Sequence, residues 1–440
     1  MPTLVISDFS CIKEANLTLA PVNVIIGPQG SGKSVTTKLT FFFSDIMSNF
    51  QQAAERGDTI EDYKRSLSRS FNIWFPPSAW GQGRFNISYV SGAFSARVLR
   101  RKSQGKLRDD VSITFSEWFT DSYKRSADLF DKTRSGEEIE DLNAVQVGDV
   151  IDRTYRVRDV IHRKMLAELG NDFVSRQTFV PAGRAFFTSI GRLVAGFEQA
   201  GSLDPITIKF ARLFANIRDR SARRFSIKNS RLSDEFHERR FLFMSKLFGG
   251  EIKFEQDTEF VETEDGRKIP FSSLSSGQQE LLPMWSLMDY FSEMDALRFP
   301  SSRRSSRRST ELIYIEEPEA HLFPSAQSLL LEFLIGSIAS ERNQRSLILT
   351  THSPYIMANL NVFLKAGQLA RRKKRNQDIN NVVPRECWLT ESQLSAFAIE
   401  DGKLRSLIDD DLMIDGRYLD QISEDISRQF SKLLQIESEI

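Results

Sequence analysis

The chain has little cysteine and no surplus of charge of either sign. Its 440 residues include two cysteines, Cys11 and Cys387. That is too few for a disulfide framework, and no C-x-x-C pair points to zinc or thiol redox chemistry. Lysine plus arginine number 59, as do aspartate plus glutamate, which argues against a uniformly basic nucleic-acid coat and an acidic disordered tail. No run of about 18 uncharged apolar residues occurs, so no membrane span is expected. The N-terminus, Met1 to Phe9, lacks the basic start and apolar stretch of a signal peptide. These absences lead to the expectation of a soluble, cytoplasmic protein with no membrane partner. No heptad register is sustained over three or four repeats, so a long coiled coil is not expected. The length suits two or three domains of roughly 100 to 200 residues and a sizeable core.

What is present is organised. Apolar and polar residues alternate from Thr3 onward and end in the run Val22-Asn23-Val24-Ile25-Ile26, a buried-strand pattern. A glycine-rich turn follows, then a helical stretch from Ser34 to about Gln52. Arg84 to Phe119 reads as an antiparallel meander that turns at Lys102 to Lys106. Residues 119–170 and 190–248 show helical spacing and read as a helical lobe. A hairpin is expected at Glu251–Phe254 and Phe260–Glu262, with a turn at Glu264 to Arg267. Beyond it the pattern is α/β: helix 277–295, strand 312–316, helix 324–340, strand 346–350 and helix 354–360. A short strand region at Trp388-Leu389, a helix from Tyr418 to Leu434 and a charged tail complete the chain.

Gly27-Pro-Gln-Gly30-Ser31-Gly32-Lys33-Ser34 fits G-x-x-x-x-G-K-[ST] in full, between a predicted strand and a predicted helix. Glycines allow backbone N–H groups to converge on phosphates without Cβ obstruction. Lys33 can reach the β and γ phosphates of ATP, and Ser34 offers a hydroxyl to Mg²⁺. The apolar strand Glu311-Leu-Ile-Tyr-Ile315 ends in Glu316-Glu317-Pro318. Of its two carboxylates, Glu316 can hold Mg²⁺ and Glu317 can orient or deprotonate the attacking water. Alone, such acids are more often a solvated strand end; after a phosphate loop the balance reverses.

Two further stretches narrow the class. Leu274-Ser275-Ser276-Gly277-Gln278-Gln279 resembles the LSGGQ signature of ATP-binding-cassette ATPases, although it could equally be an ordinary helix cap. Leu347-Ile-Leu-Thr350-Thr351-His352-Ser353-Pro354 resembles the switch-histidine loop of the same superfamily, with His352 as γ-phosphate sensor. The order phosphate loop, signature, carboxylate pair, histidine is that superfamily's order. Glu317-Pro-Glu-Ala-His-Leu-Phe-Pro324, Phe179-Val-Pro-Ala-Gly-Arg184 and Ser275-Ser-Gly-Gln-Gln-Glu280 look more specifically like the OLD and RecF-like ATPases, the AAA-15 and AAA-21 group. The resemblance covers about 1–45 and 250–440 well. It implies an α/β ABC-type P-loop ATPase head with an antiparallel β meander and an inserted helical lobe. It also implies ATP and Mg²⁺ as cofactors and a nucleotide-bridged homodimer or larger oligomer. Ser275, Ser276, Gly277 and Gln278 would then face a phosphate held by a second copy. Glu316 departs from the aspartate of transport cassettes, and no D-loop aspartate is visible. Gln177 is a Q-loop candidate; Arg184 either touches phosphate or braces the lobe.

The resemblance places the ATPase core at 1–60 and 250–440, split by an insertion at 61–249. With 88 residues after His352, the TOPRIM nuclease that OLD proteins fuse to such an ATPase is not expected in this chain. Stand-alone ATPases of this kind resemble those of the PARIS and Septu anti-phage systems, which pair with a TOPRIM and an HNH effector. A separately encoded effector partner is therefore expected, with a RecF-like DNA-binding repair ATPase as the alternative. Basic clusters at 301–309, at Arg371 to Arg375, and at Arg97, Arg100, Arg101, Lys102, Lys106 and Arg108 suit either solvated loops or DNA-backbone contact. Phe41-Phe-Phe43 and Phe186-Phe187 are expected in the core, with packing between protomers as an alternative.

Overall fold

The computed structural model describes residues 1–137, 150–190, 204–224, 234–255, 258–298, 310–338, 345–372, 376–416 and 427–435. An eleven-stranded sheet has the order β6-β5-β4-β1-β2-β14-β13-β3-β12-β11-β7. Its antiparallel half comprises β1 (Thr3–Phe9), β2 (Ile12–Thr18), β4 (Asn86–Ser91), β5 (Phe94–Ser103) and β6 (Lys106–Phe115). Its parallel half comprises β13 (Leu394–Glu400), β3 (Val22–Ile26), β12 (Arg345–Thr351), β11 (Thr310–Glu316) and β7 (Val174–Val180). β14 (Lys403–Ser406) joins them, antiparallel to β13 and parallel to β2.

Strand alternation places core on both faces of the parallel half. Val22, Val24, Ile26, Ile313, Ile315, Leu347 and Leu349 join one apolar cluster, while Ile25, Leu312, Tyr314 and Ile348 join the other. Asn23 is fully buried, and its side-chain amide is satisfied by the Ala20 backbone and the Leu347 carbonyl. On the second face lies α1 (Lys33–Arg56), followed by α2 (Ile60–Trp74), α3 (Glu117–Ser135) and α4 (Val150–Leu169). The first face is covered by α5 (Ala185–Ile190), α6 (Pro205–Arg224), α7 (Asp234–Phe248), α8 (Ser276–Arg298), α9 (Pro324–Ile338) and α10 (Pro354–Arg371). A three-stranded sheet, β8 (Gly250–Glu255), β9 (Thr258–Thr263) and β10 (Lys268–Pro270), stands apart from the large one.

The α/β class agrees with expectation, but the proposed split at 60/61 and 249/250 cuts through one sheet. β4 pairs with β1, and β7 pairs with β11. The meander and one strand within the supposed insertion are thus integral to the large sheet. The expected turn at Glu264 to Arg267 joins β9 to β10, whereas β8 and β9 are joined by a shorter connection. α10 continues well past residue 360. The strand expected at Trp388-Leu389 lies instead at β13, which with β14 fills the middle of the sheet. Residues 427–435 are helical; the rest of the expected 418–434 helix lies outside the described residues, as do 301–309 and 373–375.

Phe41, Phe42 and Phe43 are consumed within the protomer. Phe41 packs on Trp74, Phe179 and Tyr314, Phe42 on Phe71 and Phe75, and Phe43 on Tyr89. Phe187 is buried against Phe210, while Phe186 stays partly exposed.

Candidate nucleotide site

β3, β12 and β11 are adjacent and parallel, so their C-terminal ends point the same way. The phosphate loop follows β3, Glu316 ends β11 and His352 follows β12. Crevices beyond the carboxyl ends of parallel strands are where α/β folds place ligands.

In the loop, Gly30 and Gly32 have φ of 74° and 109°, which glycine adopts without the Cβ penalty. Gly32 also has no room for a side chain, because a Cβ would lie 2.8 Å from Ile12 Cγ1 and 3.0 Å from Cys11 Sγ. The β1–β2 turn thus presses on the loop from one side. From another, Ile399 of β13 brings its carbonyl to 2.9 Å from where a Gly27 Cβ would lie. Lys33 is buried, and Nζ donates to the Gly27 and Pro28 carbonyls at 2.8 and 2.9 Å. Burial lowers its pKa, opposed by the charges of Glu317, Glu319 and Glu316. The ammonium thus lies within the field of three carboxylates. Ser34 lies in the first turn of α1 and is exposed.

Glu316 is buried; its Oε2 accepts from the Ala182 N–H at 3.4 Å, and its Oε1 has no partner among the described residues. Buried Ser31 Oγ and Glu319 Oε2 likewise lack partners among the described residues. Orphaned buried oxygens cost free energy unless something outside the chain satisfies them. A carboxylate oxygen and a hydroxyl at the end of a phosphate loop are the hard donors that Mg²⁺ takes. The donor set therefore fits a magnesium nucleotide.

Glu317 has φ of 45°, an uncommon conformation for a side chain of its size and of the kind found at functional sites. Its amide donates to the Thr350 carbonyl at 2.9 Å, and its Oε1 lies 3.3 Å from His352 Nε2. Both side chains remain partly open to solvent. The structure therefore brings Glu317 and His352 together, although 35 residues separate them.

Glu319 belongs to the Glu317–Pro324 stretch, but sequence reasoning assigned it no task of its own. Its Oε1 accepts from Thr351 Oγ1 and from the His352 N–H, both at 2.7 Å. It ties the loop after β11 to the loop carrying His352. The signal in the sequence was an acid two residues past Glu317, but only the adjacency of β11 and β12 reveals the bond.

Arg184 is a brace. It is fully buried and donates to the carbonyls of Glu280, Pro181, Glu316 and Glu317 at 2.8 to 3.1 Å. Its own N–H donates to Glu280 Oε2. Burial pushes its pKa down, opposed first by Glu280. This locks the start of α8 to the loop carrying Glu317. Gly277 tightens the same junction, since a Cβ there would lie 2.5 Å from the His321 carbonyl.

Ser275 and Gln278 form a reciprocal cap. The Ser275 hydroxyl and N–H donate to Gln278 Oε1, and the Gln278 N–H donates back at 3.4 Å. Ser275 and Ser276 are exposed, and no hydrogen bond among the described residues joins them to Gly27–Ser34. Gln177 sits within β7 and donates to the Phe41 carbonyl and Asp45, so it supports α1 rather than the phosphate loop.

A family model described as "AAA domain, putative AbiEii toxin, Type IV TA system" matches residues 22–358. The chain belongs to this family, and it is an ATPase of this AAA type. No curated protein matches it. Among solved structures, it is similar to the SMC head domain from Thermotoga maritima at 12% identity and a TM-score of 0.35, covering 92% of this chain and 97% of that one. It is similar to an SmcHead bound to the C-winged helix domain of ScpA at 12% identity and 0.39, covering 92% and 96%. A dimeric ATP-binding cassette, MJ0796, bound to ADP and phosphate gives 10% identity and 0.30, covering 92% and 97%. Among the described residues, no helix is long and apolar enough to cross a membrane.

Proposed function

We propose that the protein binds and hydrolyses ATP at an interface between two copies, and that its nucleotide state controls a separately encoded effector. The observation that supports the chemistry most strongly is the meeting of Glu317 and His352 beside the loop carrying Lys33. In this reading the N–H groups of Gly30, Ser31 and Gly32 cradle the phosphates, with Gly27 at the base of the turn. Lys33 leaves its two carbonyl partners for the β and γ phosphates. Ser34 and Glu316 would hold Mg²⁺, which offsets charge on the phosphate oxygens. Glu317 takes a proton from water as its oxygen bonds to the γ phosphorus and the bond to the ADP oxygen breaks. His352, oriented by Glu317 and Glu319, donates to the γ phosphate. Ser275, Ser276, Gly277 and Gln278 approach that phosphate from the second copy, where the α8 N-terminus suits an anion.

Anti-phage defence in the cytoplasm, with a TOPRIM or HNH nuclease as effector, is the biological role this reading favours. Sedimentation tests the assembly: Glu317→Gln with ATP and Mg²⁺ should form a dimer or larger ring that Lys33→Ala does not form. A Glu317→Gln protein that stays monomeric with bound ATP contradicts it. Co-purification with the product of an adjacent gene tests effector control; absence of any partner, with activity independent of the neighbouring genes, contradicts that part. The second reading, an ATPase that engages DNA, is favoured by one observation, the cationic cleft described next.

A further inference from the structure

The outer end of the antiparallel half carries a cleft of about 800 Å³, open to solvent and lined by Arg84, Arg100, Arg101, Lys102 and Arg108. Asp109 and Asp110 also line it, so five cations face two acids. A flat strand would send Arg100, Arg101 and Lys102 alternately to opposite faces. The β5–β6 ladder instead shifts register between Arg100 and Lys102, and bulges of this kind re-aim side chains. The hairpin closes on a two-residue turn, with Gln104 and Gly105 at φ of 50° and 80°, which keeps the tip short and its register fixed.

Both acids are already engaged. Asp109 pairs with Arg100 at 3.0 Å. Arg100 also lies over the Trp80 ring at 5.5 Å and donates to the Gly81, Gly83 and Arg108 carbonyls. Asp110 pairs with Arg101 at 3.2 Å and accepts from Ser68 and the Val111 N–H. Among the described residues, Arg84, Lys102, Arg108 and nearby Lys106 have no acid within ion-pair distance. Like charges gathered on one wall repel unless an anion lies between them.

Several cations without an acid partner favour a polyanion over a small anion, and the lining favours a backbone over bases. The cleft is open to solvent, and its aromatic neighbours Trp80 and Phe85 are buried, leaving no ring of its lining among the described residues on which a base could stack. β6 is the edge strand of the sheet, seven positions from β3, so an occupant would not compete with nucleotide at the phosphate loop.

We infer that this cleft binds the phosphodiester backbone of a nucleic acid without reading its sequence. The inference rests on the second reading above and gives it a location; it does not depend on ATP hydrolysis. The test uses full-length protein carrying Arg84→Glu, Lys102→Glu and Arg108→Glu together. Binding is followed by fluorescence anisotropy with a mixed-sequence DNA duplex of about 30 base pairs and a single-stranded RNA of similar length, between about 50 and 200 mM salt. Wild-type protein should bind one or both with affinity falling linearly in log–log form. At roughly 0.9 counterions released per duplex phosphate contact, the triple variant should lose about three units of slope on the duplex and at least tenfold in affinity at low salt. Its basal ATP hydrolysis should be unchanged, which shows that the fold and nucleotide site persist. Preference for the duplex assigns DNA; preference for the single strand assigns RNA. If the triple variant binds as wild type does, the cleft is not the site. If wild-type protein binds neither probe, the nucleic-acid reading itself fails. Equal binding of polyglutamate and duplex would overturn the assignment in favour of an acidic protein partner.

Discussion

The two halves of the large sheet bury different things. The antiparallel half buries aromatic rings: Phe9 packs on Phe71, Phe75 and Phe85, and Trp80 on Phe71 and Phe85. The charges of its hairpin line a cleft open to solvent. The parallel half also has an apolar core, but at its strand ends it buries Lys33, Arg184, Glu280 and Glu316. Burying charge is costly unless it is paired and hydrogen-bonded, and such costs concentrate where chemistry is done. The contrast is the one expected if one half mainly stabilises the molecule while the strand ends of the other hold the proposed reacting groups.

Substitutions should separate the halves. The largest effects on stability are expected where the networks are tightest. Arg184→Met would leave the carboxylate of Glu280 without its paired cation and several carbonyls without their donor. It should cost about 3–5 kcal/mol in denaturant unfolding, and Arg184→Lys less. Phe71→Ala, in the other half, should cost about 3–4 kcal/mol through the cavity it leaves. It should change the hydrolysis rate by less than about twofold where the variant remains folded; a larger change would show that the halves are not separable.

Glu319→Gln keeps the size and one acceptor but weakens the tie to His352. We expect kcat to fall by roughly tenfold, about 1.4 kcal/mol, with ATP affinity nearly unchanged. An equal rise in KM with unaltered kcat would mean that Glu319 shapes binding rather than positioning His352. The smallest effect concerns protons. Burial depresses the Lys33 pKa, and an arriving phosphate should raise it. At a pH between the two values, ATP binding should therefore take up a proton, at most about one per site, and none well below both values. Calorimetry in two buffers of different ionisation enthalpy measures this, and Lys33→Arg should abolish it.

The candidate nucleotide site was legible where its residues are contiguous. Gly27 to Ser34 and Glu316-Glu317 carry their proposed chemistry in short runs beside recognisable strands, and His352 is marked by its position after another. What escaped depends on contacts across the chain. β3 lies between β12 and β13, both more than 300 residues away, and no local alternation reports that neighbourhood. For the same reason the meander read as an insertion, although β4 completes a ladder begun by β1. Arg184 admitted two readings because an arginine in a turn suits phosphate or carbonyls equally. Its complete burial among carbonyls decides between them.

The most direct test of the central claim is steady-state ATP hydrolysis by wild type and Glu317→Gln, alongside a direct measurement of ATP binding to each. Replacing the base should lower the rate by about 10² to 10⁴-fold while ATP still binds. Hydrolysis by Glu317→Gln at the wild-type rate would contradict the assignment of the reacting groups to the strand ends of the parallel half.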